Sequence, residues 1–194
     1  AHTSYEYTEL NGKDGAEKPG GIPFGASLTV QDFTGAAPDG KKYFAGCGLT
    51  KDGQVAYEPG QDVSNASLHI TANGTTVTLY AIYADKQTIT VEFRGNNPQW
   101  GAVTTRSGSF TVTKNVTGDD ITSTAEPSPG YHFVKWTKDG AQVSTKPELI
   151  ISAKQFNNTQ AGHTFVYVAQ FEPNCFTVQY NANGGKGTMD DQTF

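Results

Sequence analysis

A chain of 194 residues with a net charge of −5 and its 14 basic residues scattered offers no clustered positive face, so nucleic acid is not expected as a partner. No apolar run reaches the length of a membrane span and no charged-then-apolar leader opens the chain, so membrane insertion is not expected either. Two cysteines, Cys47 and Cys175, are too few and too unevenly placed for a disulfide framework; free thiols are the expectation, with a bridge between them as the alternative. With Met189 its single methionine and none at the start, the chain reads as a piece of a longer precursor.

In chain order, Thr76–Tyr83, Gln87–Phe93, Ser109–Thr113 and Thr164–Phe171 alternate apolar and polar residues and are rich in threonine, valine and aromatics. That is the pattern of half-buried strands. Turn signals lie between them at Asn11-Gly12, Asp39-Gly40, Asp52-Gly53, Asn73-Gly74, Asp139-Gly140 and Asn183-Gly184, dipeptides suited to positive φ. Helical pattern is scarce; short candidates are Val63 to Leu68 and Leu149 to Phe156, neither strongly periodic.

The chain also matches itself. Val77-Thr-Leu-Tyr-Ala-Ile-Tyr83, followed by Thr88-Ile-Thr-Val-Glu-Phe93, reappears as Phe165-Val-Tyr-Val-Ala-Gln-Phe171, followed by Phe176-Thr-Val-Gln-Tyr180. The alanines lie 88 residues apart, and upstream Trp136 falls 89 residues after Cys47. Such a period means small modules joined end to end, an architecture for reach or repeated contact. The layout expected is one module over residues 1–85, a second over 86–174 and the opening strand or hairpin of a third over 175–194. Tyr43, Leu79, Ala81 and Tyr83 are expected to fill the first core as Phe133, Tyr167, Ala169 and Phe171 fill the second. Cys47 then puts a small side chain where its counterpart has a ring, leaving the first core short of volume unless Phe24 or Phe33 leans in.

Phe176-Thr-Val-Gln-Tyr-Asn-Ala-Asn-Gly-Gly-Lys-Gly-Thr-Met-Asp-Asp-Gln-Thr-Phe194 resembles the opening of the Listeria-Bacteroides repeat, the internalin B-repeat type, with its apolar strand, Asn-Gly-Gly, Gly-Thr-Met and Gln-Thr-Phe. Residues 22–81 are similar to the rest of that repeat, through Ile22-Pro-Phe-Gly25, Tyr43-Phe-Ala-Gly46, Tyr57-Glu-Pro-Gly60 and Asn73-Gly-Thr-Thr-Val-Thr-Leu-Tyr-Ala81. Gly101-Ala-Val103, Pro129-Gly-Tyr131, Phe133, Trp136 and Ala169-Gln-Phe171 are similar to its divergent form. Two departures are Cys47, where the family usually has tryptophan, and Asn11-Gly-Lys-Asp-Gly15, a poor match to Asn-Gly-Gly. The resemblance implies a mostly β fold of tandem small β-grasp-like repeat modules with little helix, in bacterial proteins secreted or held at the cell wall. It implies stalk, spacer and adhesive roles, with a host or bacterial surface protein or a glycan as partner, and neither catalysis nor a cofactor.

The residues themselves give no persuasive catalytic set. His132, between Tyr131 and Phe133 in a strand-like run, is read as a solvated strand histidine. His69 and His163 flank turns and His2 sits near the start, so no metal-ligand spacing arises. Asp119-Asp120 and Asp190-Asp191 could suggest the carboxylate pair of a glycosidase, but neighbours on a strand point to opposite faces, and solvated turns are the reading preferred. Asn65, Asn73, Asn115 and Asn157 fit the glycosylation pattern and are read as coincidence. Trp100, in Asn96-Asn-Pro-Gln-Trp-Gly101, is the aromatic in a loop-like context, and with Asn97 and Gln99 it forms the candidate binding site. A tryptophan beside amide side chains can stack on a sugar ring; the alternative is that it caps a core at a bend. The function expected is a non-catalytic extracellular repeat region, with a carbohydrate-binding accessory module of a larger secreted enzyme as the alternative. Strand-exchanged self-association through residues 175–194 is expected as well.

Overall fold

A computed structural model describes residues 27–30, 40–51, 53–64, 66–68 and 77–193. The expectations for Asn11 to Gly15, Phe24, Phe33, Asp39, Asp52, Asn65, Asn73-Gly74 and histidines 2 and 69 lie outside the described residues. In chain order the strands are β1 (Ser27–Thr29), β2 (Lys42–Gly48), β3 (Asp62–Ser64), β4 (Tyr80–Asp85), β5 (Gln87–Gly95), β6 (Gly101–Val103), β7 (Ser107–Val112) and β8 (Val116–Thr117). They continue with β9 (Ile121–Pro127), β10 (Tyr131–Lys138), β11 (Ala141–Ser144), β12 (Glu148–Ile151), β13 (Thr164–Pro173), β14 (Thr177–Val178) and β15 (Gln192–Thr193). Helix among the described residues is limited to the short 3-10 turns Ala153–Gln155 and Asn158–Gln160. The fold is mostly β, as the alternation requires. The helix candidates are corrected in their opening residues: Val63 lies in β3, and Leu149 and Ile151 lie in β12, whose exposed and buried positions alternate in twos, while the rest of the second candidate holds the single 3-10 turn Ala153–Gln155. No helix among the described residues is long and apolar enough to cross a membrane.

The chain divides into two compact units, Ala1–Lys86 and Gln87–Phe194. The second holds a six-stranded sheet in the order β11-β10-β13-β5-β7-β8 and a three-stranded sheet in the order β12-β9-β6. At the centre of the larger sheet β13 runs parallel to β5, with Phe165 opposite Val91 and Tyr167 opposite Phe93; their other neighbours, β10 and β7, are antiparallel. One face of β5, carrying Ile89, Val91 and Phe93, is buried in a core with Phe110, Trp136 and Phe171. Phe93 meets Trp136 edge-on with ring centroids 5.9 Å apart and stacks on Tyr167 at 5.8 Å. β10 turns into β11 through Asp139-Gly140, both at positive φ (51° and 80°), the conformation a two-residue hairpin needs and this dipeptide tolerates. Burial, then the charge of Asp139, raise the Tyr167 phenol above its ordinary range.

The first unit repeats four of these strands. β1 pairs with β3 as β9 pairs with β12, and β2 pairs with β4 as β10 pairs with β13, all antiparallel. The register slips at the same place in both, between Phe44 and Gly46 in β2 and between Phe133 and Lys135 in β10. Phe44 is opposite Tyr83 where Phe133 is opposite Phe171, and Cys47 is opposite Ala81 where Trp136 is opposite Ala169. Leu79 is buried, with Val77, Ala81 and Tyr83 packed against its cluster. Phe44, not Tyr43, is therefore the counterpart of Phe133. The slip reverses the alternation, so two residues three apart, Phe44 and Cys47, face the same core.

Cys47 is 1 % exposed, and burial pushes its thiol from 9.0 up to about 11. The ring missing at this position comes from across the strand. Cys47 bridges to Tyr57, which is buried in the same cluster, whereas Trp136 is opposite Ser144. Large and small partners have changed sides of the pair. Each ring ties its polar atom to a backbone carbonyl at 2.9 Å: the Tyr57 hydroxyl donates to Ser67, the Trp136 indole N–H to Pro147.

Candidate functional site

The loop from β5 to β6 is fixed to β13 by Asn96. Its side-chain amide donates to the Phe171 carbonyl at 3.0 Å and its Oδ1 accepts from the Phe171 N–H at 3.1 Å, while its own N–H donates to the Ala169 carbonyl at 2.9 Å. The side chain thus satisfies both backbone groups of Phe171 where the parallel ladder ends. Asn97 then turns the chain: its Oδ1 accepts from the Gln99 N–H at 2.9 Å and its carbonyl from the Trp100 N–H at 3.1 Å, an Asx-type turn. Trp100 is held on its other side by its carbonyl, which accepts from the Ser128 N–H at 2.9 Å.

Asn97, Gln99 and Trp100 therefore share one tight turn. The turn brings up a residue that sequence reading did not single out: Tyr131 stacks on Trp100, with ring centroids 5.5 Å apart and planes 19° from parallel. Both rings are half-buried, and Trp100 packs against the core as well. The site is a two-ring platform at the edge of the core, beside the half-buried Asn97 and the exposed Gln99. Proximity in sequence marked the three loop residues; Tyr131, 31 residues on, reaches them only through the fold.

The other candidates sit apart. The ring Nδ1 of exposed His132 lies 3.0 Å from Asn174 Oδ1, and exposed His163 packs edge-on against Phe165 at 6.3 Å. Asp119, Asp120, Asp190 and Asp191 are exposed, and Asp191 accepts a hydrogen bond from the Gln179 amide. Among the described residues no group of three or more His, Cys, Asp or Glu could hold a metal ion. Both cysteines are free, Cys47 buried and Cys175 exposed. The Asn115 side chain is exposed, and Asn157 spends its Oδ1 capping a 3-10 turn through the Thr159 N–H.

Residues 100–174 match the family model of the divergent InlB B-repeat domain, a match that opens at Trp100 and takes in β6 to β13. It points to a bacterial surface repeat module. No curated protein and no solved structure matches the chain.

Proposed function

We propose that this chain is a non-catalytic repeat region of a bacterial surface or secreted protein, placed outside the cell, which serves as a spacer and as an adhesive module for a surface protein or a glycan. One observation carries the reading: the segment that matches the divergent repeat shares two of its strand pairings, β9–β12 and β10–β13, and the place of the register slip in β10, with β1–β3 and β2–β4, which lie outside the match. Repetition of a strand scaffold favours reach and contact. The β-grasp-like reading of the second unit draws support from the parallel β5–β13 pair at the centre of its sheet. Beads coated with the purified 194-residue chain should adhere to bacterial or host-cell surfaces while leaving added polysaccharides and peptides intact. Turnover of any of these would overturn the proposal.

The stacked pair Trp100 and Tyr131 supports a second reading, carbohydrate binding as an accessory to an enzyme, because a sugar ring can extend such a stack while Asn97 and Gln99 hydrogen-bond its hydroxyls. A glycan array run with the chain and with Trp100→Ala and Tyr131→Ala tests it. Binding lost in both variants, with the circular dichroism unchanged, would favour this reading over a protein partner.

A further inference from the structure

The two rings of the Trp100 and Tyr131 stack are not equivalent. Among the described residues, the half-buried rings packed against the core of the second unit are Trp100, Phe133, Phe156 and Phe165, without Tyr131. Tyr131 lies on the same face of β10 as Phe133, two residues nearer the start of the strand, and is opposite Pro173 where Phe133 is opposite Phe171. The row of rings thus runs past the end of the core, with Tyr131 its outermost member. One face of Tyr131 is given to Trp100.

Two segments, 95–101 and 127–131, build this platform. Neither holds an acidic, basic or histidine side chain, in a chain with 14 basic and 19 acidic residues. The same segments expose Pro98, Pro127 and Pro129, whose fixed φ leaves little backbone freedom to lose on binding. Asn97 spends its Oδ1 on the Gln99 N–H, and among the described residues its Nδ2 and the Gln99 side-chain amide make no hydrogen bond. A flat ring beside uncharged donors and acceptors fits a ligand with C–H groups on one face and hydroxyls around its edge. A proline-rich peptide fits less well, since it needs rings held apart as the walls of a groove, and these two lie face to face at 5.5 Å.

Resting on the carbohydrate reading of this pair, we infer that Tyr131 is the ring offered to the ligand, with Trp100 as its backing, and that the ligand class is an uncharged β-linked hexopyranose. In a β-linked glucose-type ring, carbons 1, 3 and 5 carry axial hydrogens on one face, and that face lies flat on an aromatic ring. An α linkage puts its oxygen on the same face, where it meets the ring instead of a hydrogen-bond donor. A carboxylate or ammonium group on the sugar finds no ion partner in either segment and gives up hydration without replacement.

Titration of the 194-residue chain with cellopentaose, maltopentaose and pentagalacturonate, followed by NMR, tests both parts. Cellopentaose should bind at least about tenfold more tightly than the other two, and should shift the ring resonances of Tyr131 further than the indole resonances of Trp100. Tyr131→Phe, which keeps the ring, should bind as the unaltered chain does. Gln99→Ala, at an exposed side chain, should weaken binding about threefold with no change in melting temperature. A larger shift at Trp100 than at Tyr131 overturns the ring assignment, and equal or tighter binding of maltopentaose or pentagalacturonate overturns the ligand class; either result leaves the carbohydrate reading standing. No binding of any of the three sugars overturns the inference, and a blank glycan array beside it takes the carbohydrate reading as well. Decaproline bound at Tyr131 in their place overturns it in favour of a peptide.

Discussion

Removing the Trp136 ring takes a fully buried side chain away from Phe93 and Phe133 and leaves the Pro147 carbonyl without its indole donor. Loss of a buried aromatic costs about 3–5 kcal/mol, so Trp136→Ala should leave the second unit near its stability limit. Tyr57→Ala should do the same to the first unit, because Tyr57 supplies the ring that Cys47 lacks. Tyr57→Phe separates packing from polarity: it keeps the ring, loses the hydrogen bond to Ser67 and should cost about 1 kcal/mol by chemical denaturation. If Tyr57→Ala proves no worse than Tyr57→Phe, Tyr57 does not replace the ring of its neighbour. Cys47 itself gives a pH test. Its folded-state pKa is raised, from 9.0 to about 11, so the folded state holds the proton more tightly. Its contribution is fully present below pH 9 and is lost as the pH climbs through the window up to about 11. Urea titrations should show the first unit weakening across that window, and Cys47→Ala should flatten the slope. Under native conditions at neutral pH a thiol reagent should label Cys175 promptly and Cys47 only on unfolding.

At the scale of elements, strands were the most legible feature, because half-buried β-strands write their alternation directly into the sequence. The core rows of β5 and β13 could be read that way, residue by residue. Parity failed at β2, where the register slip after Phe44 turns the alternation over and makes Tyr43 look like the core residue. Nothing in Tyr43-Phe-Ala-Gly-Cys47 marks the slip except, in retrospect, Gly46, whose φ of 150° and crowding against the Tyr57 backbone exclude a side chain. The Tyr57 replacement was hidden for a different reason: it depends on a cross-strand bridge between residues ten apart, which no periodicity encodes. The loop site was half legible, since the Asn97, Gln99 and Trp100 turn is local and Tyr131 is not. Two glycines compare close packing with backbone strain. A Cβ at Gly101 would meet the buried Phe171 ring at 2.6 Å and the Glu126 carbonyl at 2.8 Å, while one at Gly130 meets nothing within 4 Å but sits at φ +87°. Gly101→Ala should cost about 1–3 kcal/mol of overpacking, and Gly130→Ala roughly 1 kcal/mol of left-handed strain. Equal costs in a denaturant titration would mean that Phe171 can move aside.

At the scale of the whole molecule, the buried residues among those described form two clusters, one around Cys47, Tyr57 and Val63 in the first unit and one around Phe93, Trp136 and Phe171 in the second. Cooperativity follows shared burial, since a side chain destabilises only what loses contact when it moves. Conservative cavities placed one per unit measure how far that separation extends. Ile89→Val removes one methylene from a site that is fully buried in the second unit, at a cost of about 0.5–1.5 kcal/mol. For a unit of this size each kcal/mol moves the melting midpoint by about 4–8 °C. Val63→Ala makes the matching cavity in the first unit, at a position 1 % exposed. Calorimetry of the intact chain should resolve two transitions, Val63→Ala lowering one and Ile89→Val the other, with the double variant showing both shifts unchanged in size. A single transition moved by either substitution would show that the two cores unfold as one, and the reading of the chain as separable repeats would fall with it.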